Sequence, residues 1–407
     1  MKTTTRFLPF ILVFSFFACR NNNVVEPGQQ DINRELTTLE KRIVSSGNSF
    51  GLDLFKQVNA DQAGQNVFIS PLSVSMALGM TLNGANAATR DSMQKTLGFT
   101  GMSDQDINES YQSLIGLLTQ IDPGVTMQIA NSIWHRNSFA VQQSFINTNQ
   151  LYFNAIVRGL DFANPTAPTT INTWVREATN GKIDGIVDPP IPPETMMFLI
   201  NAVYYKGTWT YEFKKTDTHD SYFTLSDGTQ KLVPMMTQTG KHRTAATTAA
   251  VALDLPYGTD RFSMMILLPL SGENIESFVS SLNEAALTQI SEGFVESEID
   301  IAVPKFKLEY KNSLKPMLAR MGMSLAFSDF ADFSKINPSL SLCITDVKHK
   351  SYVEVNEEGT EAAAVTSVEV GVTSIGSSFR VDRPFVFLIR EKKSGTILFV
   401  GKVVDPS

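Results

Sequence analysis

Cysteine is nearly absent. Cys19 and Cys343 are the only two in 407 residues, which excludes a disulfide framework and any cysteine-rich zinc site. Histidine is almost as scarce, and none of His135, His219, His242 and His349 belongs to an H-E-x-x-H pair that could grip a metal from one helix face. No glycine-rich turn leads into a Lys-Ser or Lys-Thr pair, so the usual phosphate cradle is missing. Cations are outnumbered, 34 against 41 acids, and the formal charge of −7 becomes −9 once the cations Lys2 and Arg6 are set aside. Such a chain has no electrostatic reason to hold nucleic acid or an anionic membrane surface. The apolar run from Phe7 to Ala18, interrupted by Pro9 and Ser15, would form a helix of about 18 Å, short of the ~20 residues that span a bilayer.

What is present is the material of a folded protein, with 43% hydrophobic and 18% charged residues, enough for a sizeable core. Lys2 and Arg6 followed by the apolar run form an export signal over residues 1–18. The run ends Phe16-Phe17-Ala18-Cys19, which resembles the lipobox of bacterial lipoproteins, departing from it at Phe16 where those prefer leucine. The resemblance implies a lipidated Cys19, a polar tether over residues 19–40 and a folded domain over 41–407, outside the cytoplasm. An ordinary secretory cut nearby is the other reading. With Cys19 lipidated no disulfide is possible, and Cys343 in Leu342-Cys343-Ile344 is expected as a small core residue.

Helix and strand signals are mixed along the chain, without repeats or a strict β-α-β alternation, which predicts an α+β fold with mostly antiparallel sheets. Ser70-Pro71 opens a helix that Asn83-Gly84 closes. Ile171, Trp174, Val175 and Ala178 mark the buried face of another, ending at Asn180-Gly181, and 105–121 and 314–323 are further helix candidates. Strands are expected at 262–268, 299–308, 351–355, 381–389 and 397–404. One catalytic pattern occurs: Gly47-Asn48-Ser49-Phe50-Gly51 matches G-x-S-x-G. That elbow needs a buried strand before its serine, whereas residues 36–46 are polar and helix-like, so the pattern is read as a small-residue patch within a helix.

The unusual segment is Glu357 to Ser378, which joins two strand signals. A connection of that length is uncommon in a compact chain. It nevertheless alternates with period two: Thr360, Ala362, Ala364, Thr366, Val368, Val370 and Val372 form one small or apolar face. It is a loop by position and a strand by pattern.

Glu357-Glu358-Gly359-Thr360-Glu361-Ala362-Ala363-Ala364 resembles the hinge of the serpin reactive loop. The likeness extends to Asn66-Val67-Phe68-Ile69-Ser70-Pro71-Leu72-Ser73, to Asn180-Gly181-Lys182-Ile183, and to the stretch from Phe198 to Trp209. It also covers Asp382-Arg383-Pro384-Phe385-Val386-Phe387 and Phe399-Val400-Gly401-Lys402-Val403-Val404, in family order from about residue 45 to 405. The resemblance implies a single large domain with three sheets, eight or nine helices and an exposed reactive loop at about 357–379. It implies a hinge at Gly359, Thr360, Glu361, Ala362, Ala363 and Ala364, and a polar cluster of Ser70, Ser73, Asn201 and His349 where the strands of the main sheet part. It places Trp209, Lys305 and Glu357 at the top of that opening. The implied activity is inhibition of serine-type proteases, with cysteine proteases a further class. The protease cuts the loop, which then inserts as a new strand and traps the acyl-enzyme, and no residue of the inhibitor is catalytic.

Family spacing counted forward from Gly359 and back from Pro384 meets at Thr373-Ser374, with Val370 and Val372 as alternative cleavage positions. No Lys or Arg lies between Gly359 and Phe379, which favours an elastase-like partner over a trypsin-like one. A monomer is expected, with no metal or other cofactor, and with a membrane met only through the lipid. A non-inhibitory serpin acting as a binder or carrier is the alternative, and a hydrolase using Ser49 a distant third.

Overall fold

Capping chemistry starts the helices where the sequence demands. Thr37 and Glu40 form a reciprocal capping box at the head of α1 (Thr38–Asp61), and Ser70 accepts from Ser73 N–H at the head of α2 (Pro71–Leu82). A second box, Ser103 with Asp106, opens α4 (Asp104–Gln120) after α3 (Ala87–Leu97). The remaining α-helices are α5 (Gln143–Phe153), α6 (Ala167–Ala178), α7 (Ile275–Ser281), α8 (Glu284–Glu292) and α9 (Lys315–Leu318). The computed structural model describes residues 34–360 and 378–407. The export run, Cys19, Glu361, Ala362, Ala363, Ala364, Val370, Val372, Thr373 and Ser374 lie outside them. The boundary expected at residue 40 falls inside α1, where Glu40 is buried and bonded by Arg34 and Ser113.

The strands are β1 (Val67–Ile69), β2 (Val125–Arg136), β3 (Ile156–Leu160), β4 (Met197–Thr208), β5 (His219–Thr224), β6 (Gln230–Ala246), β7 (Ala250–Tyr257) and β8 (Phe262–Pro269). They continue with β9 (Val295–Pro304), β10 (Phe306–Ser313), β11 (Lys348–Asn356), β12 (Gly359–Thr360), β13 (Ser378–Arg380), β14 (Phe385–Glu391) and β15 (Ile397–Val403). They form two sheets among the described residues rather than the three implied. One has nine strands in the order β1-β15-β14-β8-β7-β6-β9-β13 with β5 on β6, and the other runs β10-β11-β12-β4-β2-β3. The reason is β6, whose 17 residues bond β5, β9 and β7 in turn and so keep two groups of strands in one ladder.

Two strand expectations cross element borders. Residues 299–308 belong to β9 and β10, which lie in different sheets, and the chain changes sheet at Lys305. Of 381–389, only Phe385 onward is strand, because Val381-Asp382-Arg383-Pro384 carries the chain from β13 to β14. The helix expected over 314–323 is α-helical only to Leu318. It ends in a wide turn at Gly322, whose φ of +118° suits glycine. Cys343 is a further correction: it is partly exposed in an irregular segment, not a core residue. The core sits between the sheets. There α2, buried along almost its whole length, touches both β4 and β15, and Phe68 stacks on Phe387 and Phe399 at 5.6 and 5.2 Å.

Candidate functional site

β4 and β11 are neighbours only through β12. Val355 and Asn356 of β11 pair with Thr360 and Gly359, which pair in turn with Gly207 and Thr208 of β4, antiparallel on both sides. Among the described residues no ladder joins β4 to β11 directly, and past Thr360 the two strands flank a slot that no described residue fills. The expected exposed loop therefore begins differently: Glu357 and Glu358 form a buried turn, and Gly359 and Thr360 are already paired in the sheet. Its far end is also tied down, where Ser378–Arg380 pairs parallel to β9 with Phe379 buried. Glycine is required at the entrance. Gly359 has φ +151°, and a Cβ there would lie 2.1 Å from the Gly207 carbonyl oxygen.

Trp209 closes this end of the slot. Its indole N–H donates to the Asn356 carbonyl at 2.9 Å, its backbone N–H donates to Glu358 O at 3.0 Å, and its ring stacks on Tyr257 with centroids 4.4 Å apart. Tyr257 shares a 2.5 Å hydrogen bond with the Thr360 hydroxyl. Lys305 pairs with Glu357 at 2.9 Å, Thr218 donates to the same carboxylate, and Lys215 pairs with Glu358 at 2.7 Å. Burial pushes the Glu357 carboxyl up, but the bonds from Lys305 and Thr218 and the lysine charge outweigh it, so the pKa is lowered. The pair is no exposed surface bridge, since the Glu357 side chain is 5% accessible.

Six residues along β11, about 20 Å by strand rise, lies the polar cluster. Ser70 N–H donates to His349 Nε2 at 3.2 Å, and its hydroxyl donates to Leu398 O at 2.8 Å. The Ser73 hydroxyl donates to Asn201 O at 3.3 Å, and Asn201 Nδ2 donates to Asn131 Oδ1 at 2.8 Å. Thus His349 ties β11 to the head of α2, while Asn201 ties β4 to its first turn; neither tie crosses the slot. Burial alone pushes the His349 pKa down to about 4, so the ring is neutral near pH 7.

Sequence reasoning missed Tyr257, Lys215, Glu358 and Asn131 as partners. Only Asn131 left a trace, as an amide inside an apolar strand, and it sits opposite Asn201 in the β2–β4 ladder. Ser49 lies in the middle of α1, its hydroxyl donating to Glu284 at 2.8 Å, with no strand-to-helix elbow. Among the described residues no cluster of His, Cys, Asp or Glu could hold a metal, and no helix is long and apolar enough to cross a membrane.

Three comparisons agree with this geometry. A family profile described as "Serpin (serine protease inhibitor)" matches residues 45–406. Human Serpin B11 is 34% identical over 382 residues, covering 88% of this chain and 97% of its own length. Among solved structures, human thyroxine-binding globulin in complex with thyroxine superposes with a TM-score of 0.84 at 30% identity, covering 91% of this chain and 100% of that one. Native Tengpin, a thermophilic serpin, gives 0.82 at 31%, covering 91% and 96%. The architecture is that of a protease inhibitor rather than an enzyme. The chain belongs to the serpin family.

Proposed function

We propose that this serpin is an extracytoplasmic inhibitor of elastase-like serine proteases, which traps its target when the segment after Thr360 enters the slot between β4 and β11. One observation carries the reading: Gly359–Thr360 already lies between those strands, antiparallel to both, and nothing described fills the slot beyond it. Continuing that register sets residue 362 between Val353 and Tyr205, 364 between Ser351 and Val203, and 366 between His349 and Asn201. Val353, Ser351 and His349 are buried, so the small face of Ala362, Ala364, Thr366, Val368 and Val370 would turn inward.

The chemistry is the protease's own. Its serine adds to the Thr373 carbonyl, the ester to Thr373 forms as the peptide bond breaks, and the Ser374 amine leaves with the proton. Insertion of the freed strand gains ladder bonds on both sides before water can cleave the ester. Trp209, Lys305 and Glu357 hold the entrance, while Ser70, Ser73, Asn201 and His349 hold the flanking strands on α2. A lipidated Cys19 would tether this machinery to a membrane outside the cytoplasm. The likeness to thyroxine-binding globulin favours a second reading, a carrier that keeps the fold without trapping proteases. Incubation with pancreatic elastase followed by a denaturing gel separates the two: a covalent complex supports the inhibitor, and cleavage without a complex overturns it.

A further inference from the structure

On the outward face of β10 and β11 the register sets charged side chains opposite one another. Lys307 faces Glu354, an attractive pair, but Lys311 faces Lys350, and Lys348 lies two residues along β11 on the same face. Like charges directly opposite on antiparallel strands are destabilising. The turn after α6 adds a further cation, since Lys182 Nζ lies 5.1 Å from the ring of Tyr352, itself two residues from Lys350. Too little acid is bonded there to balance these lysines. Asp188, in the chain between α6 and β4, meets Lys311 through one oxygen and Lys348 through the other, both at 2.8 Å. The hydrogen bonds from Lys311 and Lys348 lower its pKa to about 2, so it is ionised at neutral pH. The other acids of this face are engaged elsewhere. Glu309 pairs with Lys307 at 3.2 Å, Glu354 accepts from the Tyr352 hydroxyl at 2.6 Å, and Asp346 accepts from the Ser313 hydroxyl and the Val347 N–H. Lys350 is bonded to no acid among the described residues. Three lysines against the single carboxylate of Asp188 leave two positive charges over, on a chain that is acidic as a whole.

We propose that Lys311, Lys348 and Lys350 bind a compact, multiply charged oxyanion of the diphosphate class, in competition with Asp188. Strand geometry sets the Cβ atoms of Lys311 and Lys350 about 5 Å apart and those of Lys348 and Lys350 about 7 Å apart, so three flexible ammonium groups can converge on one small anion. Ammonium groups are compact point charges that suit phosphoryl oxygens. The Lys311 side chain is 54% accessible, so the attraction is moderate and screened by salt. The site stands on the outward face of two paired strands and does not depend on how, or whether, the protein traps a protease.

Titration calorimetry of the full-length protein with inorganic pyrophosphate at low ionic strength should show one site per chain, weakening as sodium chloride is added. Lys350→Gln should weaken binding about tenfold. Asp188→Asn should tighten it several-fold, because the competing carboxylate is gone and Lys311 and Lys348 are released to the anion. Lys307→Gln is the control: its charge is already met by Glu309 and Glu354, so binding should stay within a factor of about two. ADP titrated in parallel separates two sources of the same chemistry. Weaker binding than pyrophosphate assigns the free ion, and equal or tighter binding assigns the diphosphate end of a larger molecule. Absence of pyrophosphate binding to the unmutated protein overturns the site, including the case in which a sulfated polysaccharide binds instead. Equal losses in Lys307→Gln and Lys350→Gln, or weaker binding in Asp188→Asn, overturn it as well. Misfolding would not produce the opposite signs expected at Lys350 and Asp188.

Discussion

Two adjacent arginines test the register of insertion. Ala362→Arg would place a guanidinium on the inward face, beside Val353, which is 1% exposed, and Tyr205, which is 6% exposed. An unpaired ion buried there costs several kcal/mol even after relaxation. If half of a cost of about 4 kcal/mol is felt in the insertion barrier, the step slows roughly 30-fold. A parent that traps about ten proteases for each that escapes would then trap about one for every three, and the inhibitor consumed per enzyme would rise from about one to about four. Glu361→Arg is the control. Its side chain would point outward between Lys206 and Glu354, both partly exposed, exchanging an attraction to one for an attraction to the other. That substitution should leave the ratio within a factor of about two, since exposed pairs count for little. The assay is titration of elastase with each variant, read as residual activity and as complex on a denaturing gel. Equal behaviour of the two arginines, or a worse defect at 361, would refute the register.

Thr360→Arg differs from both, because Thr360 is already buried against Tyr257; it should lower the thermal midpoint of the uncleaved protein as well as its inhibition, measured by calorimetry before and after cleavage. Stability should fall on mild acidification. The His349 pKa is about 4 when folded against 6.5 in the ordinary ring, so the unfolded chain binds the extra proton, and this contribution is complete above pH 6.5 and lost as pH falls toward 4. Between pH 7.5 and 5 the loss amounts to about 2 kcal/mol, and in urea titrations His349→Gln should remove it. Cleavage is expected at or within three residues of Thr373-Ser374, and Thr373→Arg should recruit trypsin. Sequencing the released fragment checks this, and a first cut at Arg380 or beyond would count against it. Mass spectrometry of the mature N-terminus should find a diacylated Cys19, and an unmodified start elsewhere would end that proposal.

The parts of this molecule legible in the sequence are those fixed by local chemistry. Ser70-Pro71 marks its helix because capping and a preset φ act within three residues, and the strand at 397–404 shows because every residue of β15 is buried. The sheet change at Lys305 left no such mark: Ile299 to Leu308 reads as one apolar strand although its halves pair with β6 and with β11. The early burial of Glu357 to Thr360, a turn followed by a strand, was hidden for a related reason. Two glutamates read as exposed, and only the facing Lys215, Thr218 and Lys305, distant in sequence, make their burial tolerable. Tyr257 was missed because its role comes wholly from meeting Trp209 and Thr360 in space.

The slot exists because its two walls are held by a third element. β4 and β11 are both antiparallel to β12 and therefore parallel to each other, and each is fastened to α2, β4 through Ser73 and β11 through Ser70. For the sheet to close without a guest, backbone groups of both strands would have to come together while these side-chain ties stretch or break. A single strand antiparallel to both meets neither obstacle, since it pairs with each wall where it stands. The polar cluster under the sheet thus does two things at once: it satisfies buried groups of α2, and it keeps the flanking strands a strand's width apart. Replacing Ser70, Ser73, Asn201 or His349 with an apolar residue would remove a spacer as well as a hydrogen bond. On the proposed mechanism these four residues would therefore serve insertion without any of them touching a protease.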